Sequence, residues 1–480
     1  MAQDMSTLPE PSRIFQKYVY SCSPAIITLV LSVLVYAICS PGLMSYDSMY
    51  QYRQAVAGEY SNWHPPIMSM LLSGLLAMGG DIHWLMLIQC MLGMFGLRSL
   101  VKNFLLLFYD QVFSVAAAKW VSLICLIVLL IPLSPFMFYL MTYWKDSWEL
   151  ILLLWIGAGL LRIFSRAESM SSTRFAAWML CLVLMMSLFG MVRYNAVLAL
   201  PVLGAALWVM LKKRRPMVLK IAWLILIVPL VVSLGSERLI NEIGHVKKEY
   251  PEHALMAYEL IGMCFLGDEY CEEIPYTKQF VKLDTFREYY KWGTVSLLAR
   301  EPRLANPEIV DQGDALREEY WSEVARHPFQ MAANKLKAYW NLLGFRKTYY
   351  FFHNSIDKNE FGIEPNQRFE TLRNFLMTVA DHVSRNDLFR WFFGVHAVWM
   401  VANIIWIGWG IAQYRKKKEL KFVLLVTLLA STLGYSLSYI MATTDYDFRY
   451  LYPSSLFVQV VTIAAATAKL LPKLCHTSPS

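Results

Sequence analysis

The sequence predicts an all-α, polytopic membrane protein, and composition and charge pattern are the main reasons. Hydrophobic residues make up 57% of the 480 positions and charged residues only 17%, whereas about a quarter of the residues in ordinary soluble domains are charged. Apolar runs of membrane-spanning length recur along the chain. Lys and Arg gather in short loops between these runs. The net charge of +8 therefore follows the positive-inside rule and does not indicate nucleic-acid binding.

About ten apolar segments are long enough to cross a bilayer. One further segment, 66–79, opens with two prolines and closes with two glycines. Its length of about 14 residues is below the roughly 20 needed to span, which favours a juxtamembrane or re-entrant helix. The predicted crossings lie at 25–44, 83–101, 112–133, 147–164, 175–192, 194–211, 217–235, 391–411, 420–440 and 451–471.

The basic loops decide which way these segments run. The runs KKRR at 212–215 and RKKK at 415–418 share one side of the membrane only if 66–79 does not cross. With those runs inside, the tails at 1–24 and 473–480 are predicted to be cytoplasmic, in a cytoplasmic (inner) membrane. The first apolar run holds no small-residue cleavage site, which favours a retained helix over a cleaved signal.

A long hydrophilic insertion is predicted outside, as a periplasmic or extracellular, α-rich soluble domain. Residues 315–344 within it are predicted to be helical. Cys264 and Cys271 could form a disulfide in an oxidising compartment, but their spacing leaves two free thiols equally open. The resulting organisation is a transmembrane catalytic module at 25–235 with a first outer loop at 45–66, an outer domain at 236–390 and C-terminal transmembrane helices at 391–472.

Four polar clusters fall on the same, outer side in this topology, and their convergence predicts a site there. They are Asp47, Arg53, Glu59, Trp63 and His64 in the first outer loop, Lys145 and Asp146 in the second, Arg193 in a tight helix–helix turn, and Asp445, Asp447 and Arg449 in the motif TTDYDFRYLYP at 443–453. A purely structural membrane scaffold would not need four charged loops on one side.

Asp47 is the candidate catalytic residue. It lies about one helical turn beyond the first apolar run, where low-dielectric surroundings are expected to raise its pKa and make it a usable general base. The alternative is a capping or interfacial carboxylate. His64 precedes Pro65, which holds it extended, so it could bind a phosphate or a hydroxyl, or cap the next helix. Trp63 beside it suits an interfacial aromatic belt.

The second outer loop and the two outer arginines suit recognition of a phosphate. Lys145 and Asp146 stand between two tryptophans, a setting that suits phosphate, metal or sugar binding, or else a snorkelling ion pair. Arg193 at the membrane surface could grip a lipid-linked phosphate as a bidentate fork, or face a headgroup. Arg449 follows Asp445 and Asp447, and an internal salt bridge is its alternative.

In their order along the chain, these features resemble a known family. An Asp after the first span, WHPP ending the first outer loop, a short charged second loop, a cationic tight turn and DFRYLYP before a late helix are similar to the GT-C class of integral-membrane glycosyltransferases. These enzymes use polyprenyl-phosphate-linked sugars and include bacterial relatives of the protein O-mannosyltransferases and the lipid A aminoarabinose transferase. The resemblance covers about residues 20–235 and 391–470.

The resemblance implies a GT-C-like fold and assigns roles to particular residues. Asp47 matches the acid proposed to deprotonate the acceptor hydroxyl, and further residues match positions that bind the donor phosphate, the sugar or a metal: His64, Lys145, Asp146, Arg193 and Arg449. The implied reaction moves a sugar from a polyprenyl-phosphate donor to a glycan, lipid or protein acceptor at the outer face of the lipid bilayer, with inversion.

Two departures from the family pattern leave parts of this reading open. Ser48, and not a second acid, follows Asp47, which leaves the requirement for a divalent metal open. The outer domain is inserted before the last three spans instead of closing the chain, which leaves the acceptor open. The alternatives are a transporter or flippase of a lipid-linked or anionic solute, for which no internal repeat is visible, and a lipid-linked glycan polymerase or ligase.

Overall fold

The computed structural model describes residues 10–131, 134–214, 224–264, 313–345, 353, 355–443 and 447–476. Helices make up most of these residues. In the N-terminal half they are α1 Glu10–Cys39, α2 Tyr46–Ala57, α3 Ile67–Ala77, α4 Ile82–Phe108, α5 Val115–Leu130, α6 Phe136–Met141, α7 Lys145–Arg166, α8 Ser172–Val192, α9 Leu200–Arg214 and α10 Leu224–Ile243.

The C-terminal half contributes four helices from the predicted outer segment and three long apolar ones. They are α11 Pro251–Cys264, α12 Gly313–Arg326, α13 Pro328–Leu342, α14 Glu370–Arg385, α15 His396–Lys417, α16 Leu420–Ala442 and α17 Tyr452–His476. Cys271 lies outside the described residues, so the predicted disulfide stays a prediction.

Several of these helices have the length and composition of membrane spans. Within the described residues seven qualify, namely α4, α7, α8, α15, α16, Tyr194–Lys213 and Tyr452–Leu470, and shorter apolar helices accompany them. The all-α polytopic class predicted from the sequence is confirmed. Helix α3 has 11 residues and is therefore about 16 Å long, well short of a bilayer core of about 30 Å.

Close helix packing holds the membrane bundle together, and glycines of α4 permit it. A Cβ atom added to Gly93 would lie 2.2 Å from Leu140 Cδ2, and one added to Gly96 would lie 3.0 Å from Trp155 Nε1. The Trp155 indole uses this proximity to donate a hydrogen bond of 2.9 Å to the carbonyl of Leu92. Small residues at helix interfaces are typical of membrane proteins, where lipid tails offer no hydrophobic drive for association.

The stretch predicted to be helical at 315–344 forms two helices and not one. The break falls at His327, because the residue before a proline is disfavoured in the α conformation and Pro328 opens the next helix. Helices α11, α12 and α13 pack around a small apolar core that includes Leu260, Leu316 and Tyr320.

A buried ion pair joins these helices of the predicted outer segment to the apolar helix bundle. The Lys335 ammonium contacts the Glu259 carboxylate and donates a hydrogen bond of 3.2 Å to the carbonyl of Met441, near the end of α16. The Tyr320 hydroxyl donates to the same carboxylate at 2.6 Å. Both charged side chains are less than one-tenth exposed.

Lys335→Met is expected to lower the free energy of unfolding by about 3 kcal/mol, because it leaves the Glu259 carboxylate buried without its cation. Thermal unfolding of the purified protein in detergent measures the loss as a drop in Tm. The matched control is Arg238→Met, which removes an exposed pair with Glu242 and is expected to change Tm little. Equal shifts in the two variants would contradict the prediction.

Candidate active site

Local hydrogen bonds fix Asp47 at the start of α2. The Ser48 hydroxyl accepts a hydrogen bond of 3.1 Å from the Ser45 amide and donates one of 2.7 Å to the carbonyl of Tyr143. Asp47 lies in the first turn of α2, where the helix dipole favours a negative charge. Gly58 ends the helix in the left-handed conformation, with φ of 68°, and turns the chain towards the WHPP segment.

The two predicted outer loops of the first half run side by side. The Leu43 amide donates to the carbonyl of Met141 at 2.6 Å, and the Tyr143 amide donates to the carbonyl of Leu43 at 3.0 Å. Helix α7 begins directly afterwards, with Lys145 and the fully buried Asp146 in its first turn. These backbone contacts bring the first-loop acid and the second-loop charge pair to one place.

Arg449 joins the far end of the chain to this place. Its Nη2 atom lies 2.8 Å from Asp47 Oδ2, and its Nε atom lies 2.7 Å from Asp447 Oδ2. The same Nε atom is 4.0 Å from Asp146 Oδ2. The Asp447 side chain also accepts a hydrogen bond of 3.1 Å from the Arg449 amide and so caps the 3-10 turn Phe448–Tyr450.

His64 and Lys145 complete a chain of contacts that ends at Asp47. Lys145 Nζ lies 3.0 Å from His64 Nδ1, and His64 Nε2 lies 3.7 Å from Asp47 Oδ1. A lysine ammonium can only donate, so Nδ1 accepts and the ring proton is on Nε2, facing the carboxylate. Burial, together with the Lys145 charge, lowers the pKa of His64, and the imidazole is therefore neutral at pH 7.

Arg193 is buried, and it does not project from the tip of its turn. It follows α8 directly, and its guanidinium contacts the Asp146 carboxylate. The rings of Tyr450 and Tyr439 flank it, with the guanidinium carbon 4.3 Å and 5.3 Å from the two ring centroids. The aromatic faces and the carboxylate together hold this cation in a fixed position.

The buried Glu149 carboxylate was not among the predicted site residues. It supports the tyrosine cage, the pair Tyr439 and Tyr450 that flanks Arg193. The Tyr435 hydroxyl donates a hydrogen bond of 2.6 Å to Glu149 and lies 3.0 Å from the Tyr439 hydroxyl. It also lies 3.0 Å from the carbonyl of Tyr450. Tyr435 and Tyr439 are four residues apart and therefore lie on one face of α16. This spacing is visible in the sequence and could have predicted the tyrosine cage.

The expectation of a raised pKa at Asp47 is wrong. Burial alone raises the pKa of this carboxyl, but the Arg449 guanidinium and the His64 imidazole outweigh it and hold the pKa well below its ordinary value. Burial raises the pKa of Asp447 despite the same guanidinium. Asp47 is therefore the firmly ionised acid, and its side chain, 25% exposed, is more open than those of Asp447 at 17% and Arg449 at 13%.

The remaining candidates of the first outer loop lie at its surface. Arg53 is exposed and pairs with Glu360 at 2.7 Å, Glu59 is exposed, and Trp63 is 38% exposed. Among the described residues, none of these three pairs with Asp47 or Arg449. Asp445 lies outside the described residues.

A segment of the predicted outer domain covers the same loop. The Met44 amide donates to the carbonyl of Ser355 at 3.1 Å, and the Asp357 amide donates to the carbonyl of Met44 at 2.8 Å. His353 Nε2 lies 2.9 Å from that same carbonyl, and its ring centroid lies 6.2 Å from that of Trp144. The predicted outer domain therefore contributes to the wall of the site, which sequence reasoning missed.

The residues do not fit a divalent metal. Among the described residues no group of three or more His, Cys, Asp or Glu side chains is arranged to hold an ion. The carboxylates of Asp47, Asp146 and Asp447 come near one another, but the Arg449 guanidinium lies between them.

Comparisons with known proteins give a distant structural similarity and no sequence match. No protein-family model and no curated protein matches the chain. Among solved structures it is similar to the archaeal oligosaccharyltransferase AglB from Archaeoglobus fulgidus, solved in complex with an inhibitory peptide and a dolichol-phosphate, with 12% identity and a TM-score of 0.39. The alignment covers 97% of this chain and 52% of the AglB chain. This chain therefore spans about half the length of AglB.

His64 makes the stability of the site depend on pH. Its pKa is lowered in the folded protein, so below the unfolded value of about 6.5 the unfolded chain binds a proton that the folded chain does not. Stability is therefore expected to fall as pH drops below about 6.5. Thermal unfolding at about pH 7.5 and about pH 5.5 should show a drop in Tm for the wild type and a smaller drop for His64→Gln.

The control for this measurement is His382→Gln, because His382 is exposed on α14. It is expected to keep the pH dependence of the wild type. The pKa of His353 is also lowered by burial, so His64→Gln should keep part of the dependence. An unchanged drop in Tm for His64→Gln would contradict the prediction.

Proposed function

We propose that this protein is a membrane glycosyltransferase that moves a sugar from a polyprenyl-phosphate donor to an acceptor hydroxyl at the outer face of the membrane. The observation that carries the proposal is the contact network of Asp47, Arg449 and Asp146, which joins the first outer loop, the last outer motif and the start of α7. It combines a proton acceptor with cations suited to a leaving phosphate. The sugar and the acceptor class are not part of the proposal.

The cations serve the leaving group. The acceptor oxygen attacks the anomeric carbon, the bond from that carbon to the phosphate oxygen breaks, and its electron pair stays on the polyprenyl phosphate. Arg449 and Lys145 border the partly exposed Asp47 and neutralise the charge that develops on the phosphate, which is the main electrostatic contribution to such a transfer. A single displacement inverts the anomeric centre.

Asp47 takes the proton of the acceptor hydroxyl, and donor binding prepares it to do so. In the free protein Arg449 lowers the pKa of Asp47, which makes the carboxylate a weak base. A donor phosphate competes for the same guanidinium, and the pKa of Asp47 rises as that pairing weakens. The His64 Nε2 proton faces the carboxylate and orients it towards the opening.

The position of the charges also bears on the transporter alternative. They lie at helix ends, in the first turns of α2 and α7, directly after α8 and in the turn before α17. Transporters place such groups near the middle of the bilayer, in interrupted helices. A cluster at one end of the bundle favours chemistry on a headgroup over passage of a solute. A polymerase or ligase that uses a lipid-linked glycan would need the same cluster.

The test is a transfer assay with protein in lipid vesicles. A panel of polyprenyl-phosphate sugars carrying a labelled sugar is offered with glycan, lipid and peptide acceptors, and mass spectrometry follows free polyprenyl phosphate. We expect cleavage of at least one donor with the label on an acceptor, and loss of both in Arg449→Ala. Label that crosses the vesicle membrane on an intact donor would favour a flippase, and an intact, stationary donor across the panel would count against transfer.

A further inference from the structure

Arg449 lies in the middle of a carboxylate cluster and not opposite a single partner. Its Nη2 and Nε atoms lie 2.8 Å from Asp47 and 2.7 Å from Asp447. A third oxygen, Asp146 Oδ2, is 4.0 Å from Nε; it is buried and accepts no hydrogen bond from the residues that the structure describes. Carboxylate oxygens gathered around one point are the ligands that Mg²⁺ and Mn²⁺ take in proteins. In this protein the Arg449 guanidinium occupies that position.

Charge balance in the cluster also disfavours a second cation. Among the described side chains, the carboxylates of Asp47, Asp146 and Asp447 face three cationic ones, those of Lys145, Arg193 and Arg449. An ion bound by these carboxylates would lie beside the guanidinium, and repulsion between like charges is weakly screened where side chains are mostly buried.

We propose that Arg449 is a built-in cation that replaces a divalent metal, and that the carboxylate cluster is closed to metal ions in the native protein. The guanidinium keeps its charge over the whole physiological pH range, and its planar fork matches two phosphate oxygens. It orients Asp47 and binds the leaving phosphate, the two roles that a bound metal would have. The catalytic half of this proposal rests on the proposed glycosyl transfer, and the metal-binding half does not.

The experiment measures Mn²⁺ binding without any substrate. Full-length protein in nanodiscs of uncharged lipid is titrated with MnCl₂, and electron paramagnetic resonance reports free Mn²⁺. Wild type and Arg449→Lys are expected to bind no more than empty nanodiscs. Arg449→Ala leaves Asp47 and Asp447 without their shared cation, and it is expected to bind one Mn²⁺ with at least tenfold higher affinity than wild type.

Two controls keep the result decisive. Arg53→Ala also removes an arginine, but from an exposed pair with Glu360, and should bind no Mn²⁺. Stoichiometric binding by wild type that disappears in Asp447→Asn would overturn the proposal even if Arg449→Ala does not fold. A monodisperse Arg449→Ala that binds no more than wild type would overturn it as well. If the protein is not a glycosyltransferase, the transfer assay gives no product, and the Mn²⁺ titration gives the same result as before.

Discussion

Asp47→Asn is expected to reduce turnover of a polyprenyl-phosphate sugar by about 10³-fold in a protein that remains folded. The substitution keeps the size of the side chain and its place in the first turn of α2 but removes the proton acceptor at the open edge of the cluster. It also frees Arg449 from one of its carboxylates, so affinity for the donor phosphate is expected to stay the same or to rise. Single-turnover release of polyprenyl phosphate and a thermal shift with polyprenyl phosphate separate the two effects.

Two matched variants decide whether the effect belongs to Asp47. Glu59→Gln removes an exposed carboxylate from the same outer loop and should keep the turnover of the wild type. Asp447→Asn keeps a side-chain oxygen that can accept the Arg449 amide hydrogen bond and removes only the charge. Full turnover in Asp47→Asn with loss of turnover in Asp447→Asn would move the role of base to Asp447, whose pKa burial raises.

The fold class could be predicted because it depends on local properties of the chain. Length, apolarity and the placement of Lys and Arg are readable within single segments, and the long apolar helices overlap those segments. The bounds differ most at α1, which ends at Cys39 and not at 44, and at α10, which runs to Ile243 and not to 235. The short segment after WHPP forms a helix of 11 residues, as its prolines and glycines indicate. The break between α12 and α13 was missed, although Pro328 marks it in the sequence.

The pairs within the site could not be predicted, because they join distant parts of the chain. Topology places charged loops on one side of a membrane but does not say which cation meets which carboxylate. Asp47 and Arg449 are 402 positions apart and bond directly. The predicted direction of the Asp47 pKa shift failed for the same reason, since burial can be inferred from a neighbouring apolar run and a partner from the other end of the chain cannot.

The partners of Arg193 could not be predicted from the sequence either. Its place between two apolar segments predicts a cation at a membrane surface, and a headgroup is then the natural partner. The structure gives it a buried carboxylate and two tyrosine rings instead. Its partners come from α7, α16 and the turn before α17, so only the assembled bundle defines them. A structural role and a role in donor binding therefore have to be separated by experiment.

Arg193→Met is expected to lower the free energy of unfolding by about 3 to 4 kcal/mol, because it leaves Asp146 buried without its cation. It is also expected to weaken binding of polyprenyl phosphate at least tenfold, since the cluster that reaches Arg449 through Asp146 loses one of its cations. Thermal unfolding at increasing concentrations of polyprenyl phosphate measures both quantities in one series, because a ligand that binds only the folded state stabilises it by RT ln(1 + [L]/Kd), so the rise in Tm with concentration reports Kd.

The double variant Asp146→Leu/Arg193→Met separates the two effects. Replacing both members of a buried ion pair by apolar side chains removes the uncompensated charge and often restores stability. We therefore expect a Tm close to that of the wild type, while the affinity for polyprenyl phosphate stays at the level of the single variant, because no cation has been returned. If the double variant binds polyprenyl phosphate as tightly as the wild type does, Arg193 contributes only to folding. Arg449 and Lys145 are then the cations that bind the phosphate.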